Sequence, residues 1–147
     1  MAHALLSPSA SHRWMHCTAA PRLAEGIEDK GSDYAKEGSL FHALCAKRVK
    51  MFLGLDYSAE IAEIKELWED YHTGEMDEYV ESSTQIILDK FAKAKEKTRD
   101  AKLLIETQLD FRSWIPDGFG TADVIIIADG VMEVCDYKYG KGVKVDA

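Results

Sequence analysis

The chain has 147 residues, of which 46% are hydrophobic, with a formal net charge of −8 and a pI near 5.1. This size and apolar content are sufficient for one domain with a hydrophobic core, and no apolar run approaches the roughly 18–20 residues of a membrane span. We therefore expect one cytoplasmic domain over residues 1–147 with no membrane partner, helical over 1–100 and built of strands over 101–147.

Helix signals dominate the first hundred residues. Ser7 followed by Pro8 predicts a helix that begins there and ends near Cys17. A loop is predicted over 26–31, then helices from Ser32 or Asp33 to Gly54, over 58–71 and over 75–98. Apolar residues at helical spacing predict the core-facing side chains of these three helices: Leu40, Phe41, Leu44, Cys45 and Phe52; Ile61, Ile64, Trp68 and Tyr71; Met76, Tyr79, Val80, Ser83, Ile86, Ile87, Phe91 and Ala94.

Strand signals replace the helical pattern after Lys102. A first strand is predicted over 103–111, then a loop through Pro116, Asp117 and Gly118, and then a hairpin over 120–138. The hairpin has apolar, β-branched runs on both sides of Asp129-Gly130, which is the strongest short-range signal of a two-residue hairpin loop. Helices followed by a small, mostly antiparallel sheet indicate an α+β order.

The register of this hairpin predicts a pair of facing aspartates. If Ala128 lies opposite Val131, Asp123 lies directly opposite Asp136 at a Cβ separation of about 4.5–5.5 Å, and Lys138 points to the same face. Facing carboxylates repel each other, and Mg²⁺ relieves this because it binds carboxylates together with water and phosphate oxygens. The pattern indicates a divalent-metal site; the alternative is that both aspartates mark solvated strand ends, with Lys138 as a salt-bridge partner.

Four stretches of the chain carry a resemblance to a nuclease superfamily. Residues 120–123 (Gly-Thr-Ala-Asp) and 136–140 (Asp-Tyr-Lys-Tyr-Gly) resemble the core of the PD-(D/E)XK superfamily, and more closely its RecB-like branch with phage-borne relatives of the DUF2800 type. Residues 38–42 match the Gly-x-x-x-His pattern of that branch, and 6–17 resemble its Ser-rich first helix ending in Cys. The resemblance implies an α/β core of restriction-endonuclease-like type, with helices on the sheet.

The resemblance also implies a catalytic set. Asp123 and Asp136 would bind Mg²⁺ or Mn²⁺, with His42 and the backbone carbonyl of Tyr137 as further ligands, and Lys138 would position the attacking water. Substitution of either aspartate by Asn is therefore expected to abolish metal binding. The implied function is a metal-dependent DNA nuclease of phage or prophage origin, which acts on DNA in the cytoplasm of a bacterial host.

One departure from the family concerns the end of the chain. Relatives continue into a helix bearing Gln-x-x-x-Tyr, whereas this chain ends at 145–147 before such a helix. We therefore expect self-association or a missing C-terminal segment, because Val124, Ile126 and Cys135 would share an apolar face that needs a cover. Cleavage by these residues alone is then expected to be weak or absent. The alternatives are a non-cleaving DNA-binding or assembly module that retains the nuclease fold, and an interaction domain whose hairpin carboxylates are only solvated.

The cysteines and the basic residues each leave two interpretations. Some RecB-like nucleases hold a [4Fe–4S] cluster through an N-terminal Cys, which would be Cys17 here. Such a cluster needs four thiolates and the chain has three cysteines, which favours the interpretation that the cysteines are buried thiols.

Basic residues cluster at 47–50 and 90–99. Both clusters would contact phosphates, or the cluster at 90–99 would only complement a helix dipole. The acidic net charge argues mildly against binding of nucleic acid.

Overall fold

Helices precede strands in the computed structural model, which describes residues 6–24 and 32–140. A 3-10 turn at Pro8–Ala10 is followed by the helices α1 Ser11–His16, α2 Ala20–Ala24, α3 Asp33–Leu53, α4 Ser58–Tyr71 and α5 Gly74–Lys97, and then by the strands β1 Lys102–Asp110, β2 Phe119–Ala128 and β3 Val131–Cys135. The antiparallel sheet has the order β1-β2-β3. The predicted α+β arrangement is confirmed; the loop predicted over 26–31 lies outside the described residues.

The chain divides into two compact units. One comprises Met1–Lys30 with Thr107–Ala122, and the other comprises Gly31–Glu106 with Asp123–Ala147. The division does not follow the predicted helical and strand parts, because each unit takes residues from both. All the residues of the predicted site belong to the second unit.

A close backbone approach in the first unit explains the glycine that opens the Gly-Thr-Ala-Asp stretch. A Cβ atom at Gly120 would lie 2.9 Å from Cγ of Pro8, which is closer than real Cβ contacts. The Trp14 indole also donates a hydrogen bond to the Ser7 carbonyl at 2.9 Å. Gly120 therefore has a packing role in this unit, because only glycine lets the strand and the turn approach so closely.

Local capping sets the ends of the long helices in the second unit. The Ser32 hydroxyl accepts a hydrogen bond from the Ala35 amide at 3.2 Å, and Gly54, with φ of 69°, ends α3 in the left-handed conformation. The Thr73 hydroxyl accepts from the Met76 amide at 3.2 Å at the start of α5. Because these signals act within a few residues, the predicted ends of α3, α4 and α5 are confirmed to within one residue.

The core of the second unit packs α3, α4 and α5 with β2 and the segment after β3. Its α5 face runs through Met76, Val80, Thr84, Ile87, Phe91 and Ala94. Four predicted core residues are instead exposed, namely Phe52, Trp68, Tyr79 and Ile86. In α5 the reason is rotational: the buried face passes through Thr84 rather than the neighbouring Ser83, which turns Tyr79 and Ile86 towards solvent.

The hairpin adopts the predicted register. Ala128 lies opposite Val131, and the pairing continues to Val124 opposite Cys135. Val124 and Ile126 are only 0% and 3% exposed, so the expectation that they form an uncovered apolar face is wrong, because the helices bury them. The exposed apolar side chains of the hairpin lie on β3 instead: Val131, Met132 and Val134.

Candidate metal centre

Three side chains from three elements converge in the second unit. His42 comes from α3, Glu106 from β1 and Asp123 from β2, and one potential ligand atom from each lies within 4.8 Å of the other two. Within residues 6–24 and 32–140 no other group of three or more His, Cys, Asp or Glu side chains converges in this way. We call these three residues the triad.

Asp123 is held by two neighbours, one on each carboxylate oxygen. Oδ2 accepts a hydrogen bond from the Tyr137 backbone amide at 2.6 Å, and Oδ1 lies 3.4 Å from Nδ1 of His42. Burial alone would raise the pKa of this carboxyl, but the His42 contact and the Tyr137 amide outweigh it, and the charge of Lys138 contributes, so the pKa is lowered. Asp123 is therefore an ionised, oriented carboxylate.

His42 is the basic member of the triad. Burial lowers the pKa of its imidazole, but hydrogen bonding and charge attraction to Asp123 outweigh burial and raise it above the ordinary value. A backbone hydrogen bond with Tyr137 acts in the same direction. Only an acceptor favours the imidazolium, so that partner is the Tyr137 carbonyl, which is the backbone group predicted to face the metal.

Glu106 is the strained member of the triad. Its φ of 47° is in the left-handed region, which non-glycine residues rarely adopt. Its Oε1 is buried and has no hydrogen-bond partner in the part of the chain that the structure describes. Burial, and next the negative charge of Asp123, raise the pKa of Glu106 to about 7. An orphaned oxygen beside a second carboxylate is unfavourable without a cation.

Asp136 and Lys138 lie outside the triad. β3 ends at Cys135, one residue before Asp136, and Oδ2 of Asp136 lies 2.6 Å from Nζ of Lys138 with both side chains more than half exposed. The chain leaves the ladder here because the Asp123 carboxylate, rather than a backbone carbonyl, receives the Tyr137 amide. The structure therefore brings His42 and Asp123 together and pairs Asp136 with Lys138, which is the salt bridge of the alternative interpretation.

The triad fits a hard or borderline divalent cation. Two carboxylates suit Mg²⁺ and Mn²⁺, and an imidazole suits first-row transition metals, so Mn²⁺ satisfies both preferences. A cation within reach of Glu106 would also partner its orphaned Oε1. Three protein ligands leave coordination positions for water and a substrate oxygen.

The cysteines do not form a second metal site among the described residues. Cys45 is buried and Cys135 is partly buried, whereas Cys17 is exposed. The buried-thiol interpretation is thus confirmed for Cys45 and wrong for Cys17, which follows the end of α1 in an extended conformation and is exposed. Cys45 is three residues after His42 on α3, and burial raises the pKa of its thiol to about 12, so it remains a thiol at neutral pH.

Metal affinity is expected to rise with pH. The pKa of Glu106 is raised to about 7 and that of His42 is raised above its ordinary value, so a cation must displace protons from both groups as the pH falls. Mn²⁺ binding should strengthen between about pH 6 and pH 8, where Glu106 ionises. Calorimetry in buffers of different ionisation enthalpy measures both the affinity and the protons released. Affinity that is constant over this range would contradict the assignment.

The sequence pattern did not identify Glu106. It stands between Ile105 and Thr107 within a predicted strand, where alternation alone assigns it to one face as an ordinary strand residue. In the sequence, the one indication of a special role is that Glu106 is a lone carboxylate between β-branched residues. Its positive φ, with which it faces His42 and Asp123, depends on the folded chain. The Ser7–Cys17 segment, by contrast, forms the predicted helical turns without joining the triad.

Comparison with known protein families identifies the family of this chain. The family model described as "Protein of unknown function (DUF2800)" matches residues 3–147, which is nearly the whole chain. No solved structure matches the chain, so the restriction-endonuclease-like likeness stays a prediction. In the described part of the chain no helix is both long and apolar enough to cross a membrane. Since the match covers almost every residue of the sequence, the chain belongs to the DUF2800 family.

Proposed function

We propose that this chain is a metal-dependent nuclease domain of RecB-like type that hydrolyses phosphodiester bonds in DNA. The observation that supports this most is the convergence of His42, Glu106 and Asp123 within 4.8 Å, with the Glu106 Oε1 buried and unpaired. Such an arrangement lowers the stability of the free protein and is favourable once a cation binds, which is typical of a functional site.

In the proposed mechanism the protein positions the reacting groups. A bound Mg²⁺ or Mn²⁺ would polarise a phosphoryl oxygen and lower the pKa of an attacking water. The Tyr137 amide orients Asp123, and a backbone hydrogen bond with Tyr137 helps to raise the pKa of His42, so both ligands interact with one residue. Lys138, whose charge already reaches Asp123, would stabilise the negative charge that develops on the phosphate.

Asp136 has a positioning role in this proposal. Its carboxylate holds the Lys138 ammonium at 2.6 Å, and the two side chains are 56% and 62% exposed. Exposed ion pairs contribute only about 0–1 kcal/mol, so a phosphate can replace Asp136 as the partner of Lys138 at little cost. Lys138 would then contact the substrate phosphate instead of staying in its ion pair with Asp136.

Binding of DNA by the metal-free chain is expected to be weak. Affinity for phosphates depends on free Lys and Arg side chains, and several predicted contacts are already ion pairs: Arg48 with Glu81, Lys50 with Glu60 and Lys90 with Glu133. The net charge of −8 adds repulsion. In the proposed function, the bound cation therefore has to attract the DNA phosphates to the site. Phage origin and self-association remain part of this proposal.

The second candidate is a DNA-binding or assembly module that retains the fold and does not cleave. It is favoured by one observation, the pairing of Lys138 with Asp136, which neutralises the residue assigned to stabilise charge in the reaction. In that case the triad would hold a structural cation, and neither the wild type nor a Lys138 variant would cleave DNA.

The experiment that separates the two is a cleavage assay with the full chain, Mn²⁺, and labelled single- and double-stranded DNA. Metal-dependent cleavage is expected, and Lys138→Met should lower its rate by about 100-fold while Mn²⁺ binding is retained. Lys102→Met, which removes the same charge from the exposed start of β1, is the control and should cut like the wild type. Wild-type protein that binds Mn²⁺ without cutting either DNA would favour the non-cleaving module.

A further inference from the structure

A cleft lined by lysines lies between the second half of α5 and the hairpin. Its volume is about 310 Å³, and Lys90, Lys93 and Lys97 line its α5 side. The apolar residues of its hairpin side are Ile126, Ala128 and Val131. Pockets that enclose small ligands have volumes of about 300–1,000 Å³, so the cleft is large enough for a short, narrow segment of a ligand that is partly charged and partly apolar.

The three lysines lie on one face of α5. They are spaced by three and then four residues, so they follow one another over about 10 Å of the helix axis. Lys90 pairs with Glu133 of the hairpin. Lys93 and Lys97 are exposed and form no ion pair within the described residues. Two ammonium groups are therefore available to a ligand in the cleft.

The helix dipole accounts for only part of this arrangement. A cation is favourable within the last turn of a helix, and the basic residues of the last turn of α5 are Lys95 and Lys97. Lys90 and Lys93 precede that turn and still line the cleft. Lys95 lies over the Phe91 ring instead, with Nζ 4.7 Å from the ring centroid. The lysines of the cleft therefore share a face of α5 rather than closeness to its end.

The local charge of the cleft is opposite in sign to that of the chain. Its lining has three lysines and two carboxylates, Asp129 and Glu133, which sum to +1, whereas the whole chain has a net charge of −8. The Glu133 carboxylate is already paired with Lys90. The cleft therefore attracts an anionic ligand although the rest of the chain repels one.

Strand β2 connects the cleft with the triad. It carries Ile126 in the cleft and Asp123 in the triad, and three residues of a β-strand span about 10 Å. Successive phosphates of one strand are about 3.4 Å apart along a DNA helix. A few nucleotides are therefore enough for one strand to reach both the triad and the cleft.

We propose that the cleft binds the backbone of a single DNA strand a few nucleotides away from the metal centre. Lys93 and Lys97 contact its phosphates, and the apolar hairpin side packs against a sugar or a base. A single strand fits better than a duplex, because its bases are free to lie in a narrow, positively charged groove. The inference rests on the proposed function and names the form of DNA on which it acts.

The test is fluorescence anisotropy of a labelled oligothymidine strand with the full chain, in the presence of a chelator and over a range of low salt concentrations. Each phosphate contact on a single strand contributes about 0.7 to the slope of log affinity against log salt concentration. Lys93→Met/Lys97→Met should therefore weaken binding and reduce the slope by about 1.4, while Mn²⁺ binding stays as in the wild type. Lys93→Arg/Lys97→Arg retains both charges and should keep the wild-type slope.

The matched control is Lys65→Met/Lys95→Met. It removes two positive charges from exposed positions that lie outside the lining of the cleft, and one of them is on the same helix. Both double variants have the same net charge, so a difference between them reports the location of the lysines. The control should bind the strand with the wild-type slope.

The outcomes separate the cleft from the metal centre. Equal slopes for the cleft variant and the control, or no binding by the wild type at low salt, would overturn the role of the cleft and leave the triad intact. A duplex that binds as tightly as the strand and is weakened as much by Lys93→Met/Lys97→Met would overturn the single-strand assignment. An oligoglutamate of equal charge that displaces the strand would show that the cleft takes an acidic peptide instead. A wild type that binds the strand and does not cut it with Mn²⁺ would overturn the proposed nuclease function.

Discussion

Replacement of Asp123 by Asn is expected to abolish measurable Mn²⁺ binding and metal-dependent cleavage of DNA. The neutral amide removes the one triad carboxylate whose pKa is held below its ordinary value, and loss of a ligand costs at least the 10–100-fold seen for outer-shell partners. The Asn carbonyl still accepts from the Tyr137 amide, so the fold is retained. Calorimetry with Mn²⁺ and the cleavage assay measure the two losses.

Asp136→Asn is the matched control for this prediction. It makes the same chemical change thirteen residues later, on a carboxylate that is 56% exposed and paired with Lys138. The sequence predicted equal losses for both aspartates, whereas the geometry predicts that Mn²⁺ binding survives in Asp136→Asn, because Asp136 is outside the triad. Equal loss of binding in the two variants would show that Asp136 is a ligand and that the chain after β3 rearranges when the ion binds.

Replacement of Glu106 by Gln is expected to stabilise the metal-free protein and weaken Mn²⁺ binding at the same time. The folded-state pKa of Glu106, about 7, lies above the ordinary value of 4.5, so the folded protein holds a proton that the unfolded chain releases. The resulting stability is present below about pH 4.5 and is lost as pH rises through about 7. At about pH 8, Gln should raise the free energy of unfolding by about 1–2 kcal/mol after allowance for solvent screening.

Urea denaturation in the presence of a chelator tests this at two pH values. The gain from Glu106→Gln should be present at about pH 8 and nearly absent near pH 4.5, where the wild-type carboxyl is protonated in the folded state. Glu78→Gln, on the exposed face of α5, is the control and should change stability by less than about 0.5 kcal/mol. A Glu106→Gln protein that is less stable than the wild type at about pH 8 would contradict the burial of an unpaired charge.

Glu60 and Glu106 share the same unfavourable feature, a buried carboxylate oxygen without a hydrogen-bond partner among the described residues. The other oxygen of Glu60 pairs with the Lys50 ammonium. A small unit retains such groups only if another interaction compensates them. In this protein that interaction is proposed to be a bound divalent ion at Glu106 and the ammonium at Glu60.

Local chemistry explains the elements that were predicted correctly. Asp129 and Gly130 both adopt positive φ, 53° and 71°, which is the conformation that a two-residue hairpin requires. That turn alone sets the register from Ala128 to Val124. The starts of α3 and α5 follow similarly from the hydroxyl caps at Ser32 and Thr73, because a cap acts within one helical turn.

The misassigned residues depend on contacts that are distant in sequence. Tyr79 and Ile86 fit an apolar stripe as well as the buried residues of α5 do, and only packing against α3 and β2 selects the face that contains Thr84. Val124 and Ile126 were expected on an open face, but helices that precede them by more than 25 residues cover them. Hydrophobic periodicity describes how a segment can be buried and not which partner buries it.

The sequence by itself determined the helix-then-strand order and the hairpin register, which singled out Asp123, because capping, turn chemistry and period-2 alternation act over a few residues. The resemblance to RecB-like nucleases, not these local signals, implied His42 as a candidate ligand. Only the tertiary structure decided that Glu106 completes the triad and that Asp136 pairs with Lys138 instead. The reason is physical: Glu106 reaches His42 and Asp123 through a positive φ that no local preference favours, and Asp136 is displaced because the Asp123 carboxylate takes the next backbone amide. Both effects arise from contacts between elements separated by dozens of residues or by a whole hairpin.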